Sequence, residues 1–399
     1  MGQHLRPQPE PAGAPFPPDV DVSLASSVDA ELPWLWRHIP LTRRIAADLR
    51  GLAGRSLCLN IHLDIKMAPV VDALVAAGAR VVVLGCNPHT TRDAVVAWMV
   101  RRGAEVRARA GMAESDRQAA IRWALGQECE FVSEMGGDVL LAAAGDSRAA
   151  RSLRAGMEAT GTGIARLQGV ALSVPVFNWD GLTLKQGLHN RHLVGLMVWA
   201  TFLQVTLLTL YGRTVLVVGY GLVGQGLADY ARRLGARVLV CELDPVRAHL
   251  ARHHGCEVVS LDEGLARADV VVTATGREKV ISTPQFPLLR EGALLLNAGH
   301  STLELDVPAL RAHPTRRIRP HVEAVELGGR TVYLLAEGAM FNLAAGPGDP
   351  YDAFDLTSAL MLAGIEYMVA HHQDFPPGLH LMPAEVERRV AALAAEAIR

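Results

Sequence analysis

A glycine-rich turn between a buried strand and a helix restricts the fold of this chain more than any other feature. In VLVVGYGLVGQG, the glycines Gly219, Gly221 and Gly224 follow the order GxGxxG. Glycine permits a tight turn and close approach of a diphosphate, and the N-terminus of the following helix attracts negative charge. Glu242 ends the next strand, in VLVCELDP, where a carboxylate can bind ribose hydroxyls and repels a 2′-phosphate. The pattern predicts a Rossmann-type domain that binds NAD rather than NADP, although a glycine turn without a ligand is the alternative.

Strand-like and helix-like segments alternate in two series. The first series includes SLCLNIHL, ARVVVLGC and FVSEMGGD, and the second begins at RTVLVVGYG. Such alternation predicts parallel sheets with helices on both faces. We therefore predict an α/β fold of two domains, in which the NAD-binding Rossmann domain is inserted in a second parallel-sheet α/β substrate domain. The expected bounds are a flexible leader at 1–30, the substrate domain at 31–190, the NAD-binding domain at 191–343, and a return to the substrate domain with C-terminal helices at 344–399. The ligand is expected in the cleft between the two domains.

Composition excludes several classes of function. The formal net charge is −2 and no basic block occurs, so neither nucleic acid nor a membrane surface is expected as a partner. The apolar stretch 193–212 is long enough to span a membrane, but Gln204 and the strand that follows favour a buried helix. The five cysteines show no CxxC spacing, which favours reduced thiols in a cytoplasmic protein and no metal site.

Motifs around the glycine turn give the chain a resemblance to a known family. Lys185 and Asn190 precede the turn, and NAGH and LLAEGAMFNL follow it. In this order the motifs resemble those of the adenosylhomocysteinase (S-adenosylhomocysteine hydrolase) family, from about Leu57 to Pro383. The resemblance implies bound NAD, oxidation of a nucleoside 3′-hydroxyl to a ketone, elimination of the 5′ substituent, addition of water and re-reduction.

The resemblance also implies roles for individual residues. Lys185 would assist proton transfer at the 3′-hydroxyl, with Asn190 beside it, His300 near the reacting sugar and His62 placed for proton traffic at the 5′ position. A histidine that ends a strand, as His62 does, is otherwise more often structural. Besides the glycines, Glu242 and Asn190, the residues implied at the cofactor are Thr160 and Thr162 in EATGTG, Asn297 in NAGH, and Asn342.

The chain departs from the family pattern where the substrate would lie. His189 replaces the aspartate that precedes the asparagine, and Asp349 replaces a histidine before a proline. The changed positions that we assign to substrate binding are Asp64, Lys66, Met135 and Asp349. We also expect no tail of the kind with which this family reaches a neighbouring subunit's NAD. We expect Asp349 and Lys66 to define the base pocket, and His189 to be an added hydrogen-bond donor or base.

These departures lead to a first hypothesis and two alternatives. The first is a nucleoside dehydratase of the family, in which water leaves from C5′ and none adds back, with His62 and His300 as acid and base. Such a step fits the making of a nucleoside antibiotic such as angustmycin. The alternatives are hydrolysis of adenosylhomocysteine with a diverged pocket, and an NAD-binding regulator without activity. A homo-oligomer is expected, either a dimer or a tetramer.

Overall fold

The computed structural model describes residues 20–146, 149–299 and 303–397. The strands run in chain order as β1 (Ser56–Ile61), β2 (Arg80–Gly85), β3 (Glu105–Arg107), β4 (Phe131–Glu134), β5 (Ala155–Glu158), β6 (Pro175–Asn178), β7 (Thr214–Val218), β8 (Arg237–Cys241), β9 (Glu257–Val258), β10 (Val270–Thr273), β11 (Leu294–Asn297), β12 (Thr315–Arg319), β13 (Val322–Leu327), β14 (Arg330–Leu335) and β15 (Gly378–Leu381).

The α-helices run in chain order as α1 (Ala25–His38), α2 (Pro40–Asp48), α3 (Ala68–Ala76), α4 (Asp93–Arg101), α5 (Glu114–Gly126), α6 (Asp138–Ala144), α7 (Ala149–Ser152), α8 (Gly161–Leu167), α9 (Val194–Thr206), α10 (Leu222–Arg233), α11 (Pro245–His253), α12 (Leu261–Arg267), α13 (Val307–Arg311), α14 (Phe341–Ala344), α15 (Tyr351–His371) and α16 (Ala384–Ala397). A π-helix (Lys185–Leu193) leads directly into α9.

The strands form two sheets. One has seven strands, all parallel, in the order β15-β6-β5-β4-β1-β2-β3. The other has eight strands in the order β12-β13-β14-β11-β10-β7-β8-β9, and only the β12–β13 and β13–β14 pairs are antiparallel. Because β15 follows the whole second sheet in the chain and pairs with β6 of the first, the second sheet is an insertion, as the α/β alternation predicts.

The central strands are short apolar runs rather than alternating patterns. All five residues of β7, TVLVV, are buried, which is typical of parallel strands that are covered by helices on both faces. The five cysteines are buried and unpaired.

The order of the strands decides where a ligand can lie. In the first sheet β1 lies between β4 and β2, and in the second β7 lies between β10 and β8. At such a switch point, the loops that leave the carboxyl ends of neighbouring strands diverge and open a crevice. The carboxyl edges of the two sheets face each other. Gly276 lies just after β10 of the second sheet, and a Cβ built on it would lie 3.2 Å from the hydroxyl of Thr162 in the first domain. The crevices therefore open into a common cleft.

The N-terminal segment and the apolar helices differ in part from what the sequence predicts. The segment expected to be a leader at 1–30 contains the start of α1, whose Ala25 and Val28 are 0% and 3% exposed; residues 1–19 lie outside the described residues. The buried helix expected at 193–212 is α9, which ends at Thr206 and buries Val198 and Trp199. In the described part of the chain one helical stretch, Tyr351–Asp374, is long and apolar enough to cross a membrane, but 72% of its 18-residue apolar window is buried inside the protein, as in a core helix.

Candidate functional site

The glycine turn after β7 has the geometry of a diphosphate site. Gly219 has a φ of +95°, and a Cβ there would lie 2.7 Å from the Ala274 carbonyl oxygen. A Cβ on Gly224 would lie 2.0 Å from the carbonyl oxygen of Gly219. Gly221 is the N-cap of α10, and no side chain of the described residues caps the first turn of that helix. Its first backbone amides are therefore left for an anionic group, which fits the diphosphate of NAD.

Glu242 lies directly after β8, beside this turn. Its carboxylate accepts hydrogen bonds from the backbone N–H groups of Tyr220 at 2.7 Å, Leu243 at 2.7 Å and Asp244 at 2.9 Å. These bonds fix a negative charge next to the glycine turn. A ribose diol can donate to the remaining lone pair, whereas a 2′-phosphate would be repelled.

Asn297, which ends β11, and Asn342, which lies in α14, differ in the hydrogen bonds of their side chains. The buried Asn297 donates to the Gly338 carbonyl at 3.1 Å and accepts from the Gly299 N–H at 2.8 Å, so it connects two loops. Asn342 is 2% exposed, and its side-chain oxygen has no hydrogen-bond partner among the described residues. An unsatisfied buried amide oxygen is costly, and a carboxamide such as that of nicotinamide would satisfy it.

Thr160 and Thr162, the two predicted threonines of EATGTG, have different contacts. The Thr160 hydroxyl donates to Glu158 at 2.7 Å and accepts from the Gly163 N–H at 2.9 Å, which makes it the N-cap of α8. Thr162 faces the loop at Gly276 across the cleft. Only Thr162 of these two is therefore placed against the NAD-binding half.

Lys185 is held in a buried polar cluster. Its Nζ donates to Asp180 at 2.6 Å and to the Asn190 side-chain oxygen at 3.4 Å, and Asn190 donates to Asp180 at 3.0 Å. Nζ also lies 5.4 Å from the centre of the Trp179 ring. The π-helix brings Lys185 and Asn190, five residues apart, onto the same face, and such helices are frequent at functional sites. Asp180 is a site residue that the sequence analysis did not identify, although it lies in the same segment, WDGLTLK.

His189 and Asp349, two positions for which the sequence predicts an altered substrate side, are in contact. The His189 Nδ1 lies 3.3 Å from Asp349 Oδ2 and 3.5 Å from the Thr357 hydroxyl. Burial lowers the pKa of His189, while the charge of Asp349 raises it in part. The other carboxylate oxygen of Asp349 is buried and has no partner in the described part of the chain.

Lys66 and Asp64 neutralise each other. The Lys66 Nζ lies 3.0 Å from Asp64 Oδ2 and donates to the Pro347 carbonyl at 2.7 Å. Lys66 is only 3% exposed. This chain contains three lysines, and two of them, Lys66 and Lys185, are buried in the cleft, whereas Lys279 is exposed.

Two further predicted residues lie near the carboxyl ends of β1 and β4. His62 follows β1, and its Nδ1 lies 2.7 Å from the Thr90 hydroxyl. Met135 follows β4 and is 9% exposed. His300 lies outside the described residues, so its predicted place near the sugar stays a prediction.

Two buried glutamates, Glu134 and Glu158, hold the loops at the carboxyl edge of the first sheet. Glu134 accepts from the N–H groups of Val139 and Leu140, both at 2.8 Å, and Glu158 accepts from the Gly137 N–H at 2.9 Å. Burial, with repulsion by Glu158, raises the pKa of Glu134 to about 8, and burial raises that of Glu158 to about 7. Their contacts identify them as structural supports of the loops that carry Met135 and Thr160.

Comparisons with known proteins identify the family of the chain. The family profile described as S-adenosyl-L-homocysteine hydrolase matches residues 29–165, and its NAD binding domain profile matches residues 200–348. An adenosylhomocysteinase of Thermotoga maritima is 34% identical over 376 residues, which are 92% of this chain and 93% of that protein. An S-inosyl-L-homocysteine hydrolase of Methanopyrus kandleri is 33% identical over 390 residues, 95% of this chain and 92% of that protein. An adenosylhomocysteinase of Archaeoglobus fulgidus is 32% identical over 378 residues, 92% and 93% of the two chains.

Proposed function

Because the chain belongs to the S-adenosyl-L-homocysteine hydrolase family, we propose that it cleaves the bond between C5′ and its substituent in a nucleoside after oxidation of the 3′-hydroxyl. It is an NAD-dependent enzyme of this family, and NAD, when bound, supplies reversible oxidation of a carbon–hydrogen bond. The observation that carries the proposal is the buried cluster of Lys185, Asp180 and Asn190. Binding NAD alone needs no buried lysine, so this cluster argues against a regulator without activity.

The cluster can hold and polarise a sugar oxygen. An ammonium group has three N–H donors, and Asp180 and Asn190 occupy two of those of Lys185. The third can donate to the 3′-oxygen and stabilise negative charge on it during oxidation. Because Lys185 is 6% exposed, water competes little for this bond and the electrostatic effect is strengthened.

Once C3′ is a ketone, the hydrogen at C4′ becomes acidic and the group at C5′ can be expelled. We place His62, which follows β1, at proton transfer near C5′. The predicted role of His300 in the same step has no structural description. Asn342, with its unpartnered side-chain oxygen, would orient the nicotinamide against C3′.

The net reaction that has the most support is hydrolysis of a nucleosyl-homocysteine thioether. Two of the relatives are adenosylhomocysteinases and one is an S-inosyl-L-homocysteine hydrolase, all at similar identity. The base could thus be a 6-amino or a 6-oxo purine. In this reaction a thiolate leaves C5′, water adds to the alkene, and the ketone is reduced.

The second candidate is the nucleoside dehydratase, which one observation favours. The substrate side of the cleft holds two polar contacts, the ion pair of Lys66 with Asp64 and the contact of His189 with Asp349. Hydroxide is a poorer leaving group than a thiolate and needs a proton donor, which such a polar cleft can supply. The product would be a 4′,5′-unsaturated nucleoside, as in biosynthesis of a nucleoside antibiotic.

Analysis of the products distinguishes the hydrolase from the dehydratase. NAD-loaded protein is incubated with S-adenosylhomocysteine, S-inosylhomocysteine, adenosine or psicofuranosyl adenine, and the products are identified by mass spectrometry. Release of homocysteine supports the hydrolase, and a product lighter by one water supports the dehydratase. Lys185→Met should abolish either product, whereas Lys279→Met, at a surface lysine with a side chain 67% exposed, should retain it. No product from any of the four compounds in the wild type would refute the proposal.

A further inference from the structure

The contact between His189 and Asp349 leaves one nitrogen of the imidazole available. A carboxylate only accepts hydrogen bonds, so its position 3.3 Å from Nδ1 favours the tautomer with hydrogen on Nδ1. The interactions of His189 with the described residues are with Asp349 and Thr357, both through Nδ1, and the edge of the Phe354 ring. Its Nε2 therefore has no hydrogen-bond partner in this part of the chain and carries a lone pair.

The fold places this imidazole at the proposed reaction centre. His189 lies four residues after Lys185 in the π-helix. Asp349 is joined to the nicotinamide side, because the N–H of its neighbour Gly348 donates to the Asn342 carbonyl at 2.8 Å. The chain thus connects the pair both to the lysine that would hold the 3′-oxygen, through the π-helix, and to the asparagine that would orient the cofactor, through Gly348.

Lys185 is poorly suited to take up a proton. It donates to the Asp180 carboxylate at 2.6 Å, and an ammonium in that contact has no lone pair. His189 is a better acceptor, since burial lowers its pKa and keeps the imidazole neutral. The charged groups that act on it are Asp349 and Asp180, which raise its pKa, and Lys185 and Lys66, which lower it.

We propose that His189 is the base that removes the 3′-hydroxyl proton, and that Asp349 is the positioning residue that fixes its tautomer and stabilises the imidazolium. The inference rests on the proposed function. In the step, the O–H bond breaks and its proton moves to Nε2, the C3′–H bond breaks and its electron pair leaves with the hydrogen to NAD, and the C3′=O bond forms. Re-reduction returns the hydrogen with its electron pair to C3′, and the imidazolium gives its proton back to the oxygen. Lys185 holds the oxygen throughout and changes no bond.

The test follows reduction of the bound cofactor by its absorbance after rapid mixing with the nucleoside that gives product in the wild type. His189→Asn should slow reduction about 100-fold or more, the usual effect of losing a general base, with NAD affinity unchanged. Asp349→Asn should slow it less and shift the acid-side inflection of the rate to lower pH, because loss of the carboxylate lowers the pKa of the imidazole. His371→Asn, whose side chain is 49% exposed, is the matched control and should reduce NAD at the wild-type rate.

The possible outcomes distinguish failure of the His189–Asp349 dyad from failure of the proposed function. Wild-type rates in His189→Asn, or an unshifted inflection in Asp349→Asn, would overturn the dyad and leave the proposed function standing. A wild type that never reduces NAD with any nucleoside would overturn both. A purely structural role for Asp349 would lower the amount of folded protein without moving the inflection, which would also overturn the assignment.

Discussion

Replacing Asp180 by asparagine tests whether Lys185 is a buried charge with one dominant partner. The side chains of Lys185 and Asp180 are 8% and 13% exposed, and Nζ lies 2.6 Å from Oδ1. At an effective dielectric constant of about 20, two unit charges at this distance attract by about 6 kcal/mol before the cost of desolvation. Removing one partner of a buried pair leaves the other charge uncompensated and typically costs about 3–5 kcal/mol. We expect Asp180→Asn to lower the free energy of unfolding by this amount.

The assay is urea unfolding of NAD-free protein, followed by tryptophan fluorescence. Trp179 is a local reporter, because Nζ of Lys185 lies 5.4 Å from the centre of its ring. The double variant Asp180→Asn/Lys185→Met removes both charges and should recover most of the lost stability, since no buried charge is left unpaired. A loss below about 1 kcal/mol in Asp180→Asn, the range of an exposed pair, would refute the description of a buried ion pair. A double variant no more stable than Asp180→Asn would refute its electrostatic origin.

Three further predictions concern the cofactor site and the buried acids. Glu242→Ala should weaken NAD binding about tenfold and reduce the preference over NADP, as measured by titration with each cofactor; an unchanged preference would contradict the role of the carboxylate. Gly224→Ala should abolish NAD binding, because its Cβ would lie 2.0 Å from a backbone oxygen of the turn, whereas the control Gly126→Ala has nothing within 4 Å; calorimetric titration with NAD measures both. The raised pKa of Glu134, about 8, and of Glu158, about 7, means that the folded state binds more protons than the unfolded state above about pH 4.5. The contribution of these two acids to the free energy of unfolding should therefore fall as pH rises to about 8, so in urea unfolding the free energy should fall less, or rise more, with pH in Glu134→Gln than in the wild type.

Sequence alone predicts the nucleotide site well because its determinants are local. The glycines of the turn and Glu242 lie in consecutive elements, so their order and spacing already define the turn, the helix terminus and the acidic strand end. The alternation of apolar strands and helices likewise predicts two parallel sheets and the insertion of one in the other, which the pairing of β15 with β6 confirms.

The substrate side is harder to predict because its contacts join distant parts of the chain. His189 and Asp349 are 160 positions apart, and only the folded chain shows that these two departures form one pair. Asp180 was missed because it lies in the turn before the π-helix that begins at its partner Lys185, and a turn has no regular period from which its side-chain contacts could be predicted. Asp64 and Lys66 are predicted to bind the substrate, and the structure shows in addition that they form an ion pair with each other.

The start of the chain shows how composition can mislead. The prolines of the first residues predict a leader up to residue 30. However, Ala25, Val28, Leu32 and Leu35 are buried on one face of α1, at the spacing of an amphipathic helix. The burial of that face extends the folded part toward the N-terminus.

The central claim is that the chain oxidises a nucleoside at C3′ with bound NAD, whatever then leaves C5′. The most direct test is hydrogen exchange at C4′. A nucleoside is incubated in D₂O with the NAD-loaded protein, recovered, and examined by NMR for carbon-bound deuterium. The 3′-ketone makes the C4′ hydrogen acidic, so the account predicts deuterium at C4′ with the wild type and none with Lys185→Met. Reduction of bound NAD without deuterium at C4′, or no reaction with any nucleoside, would contradict it.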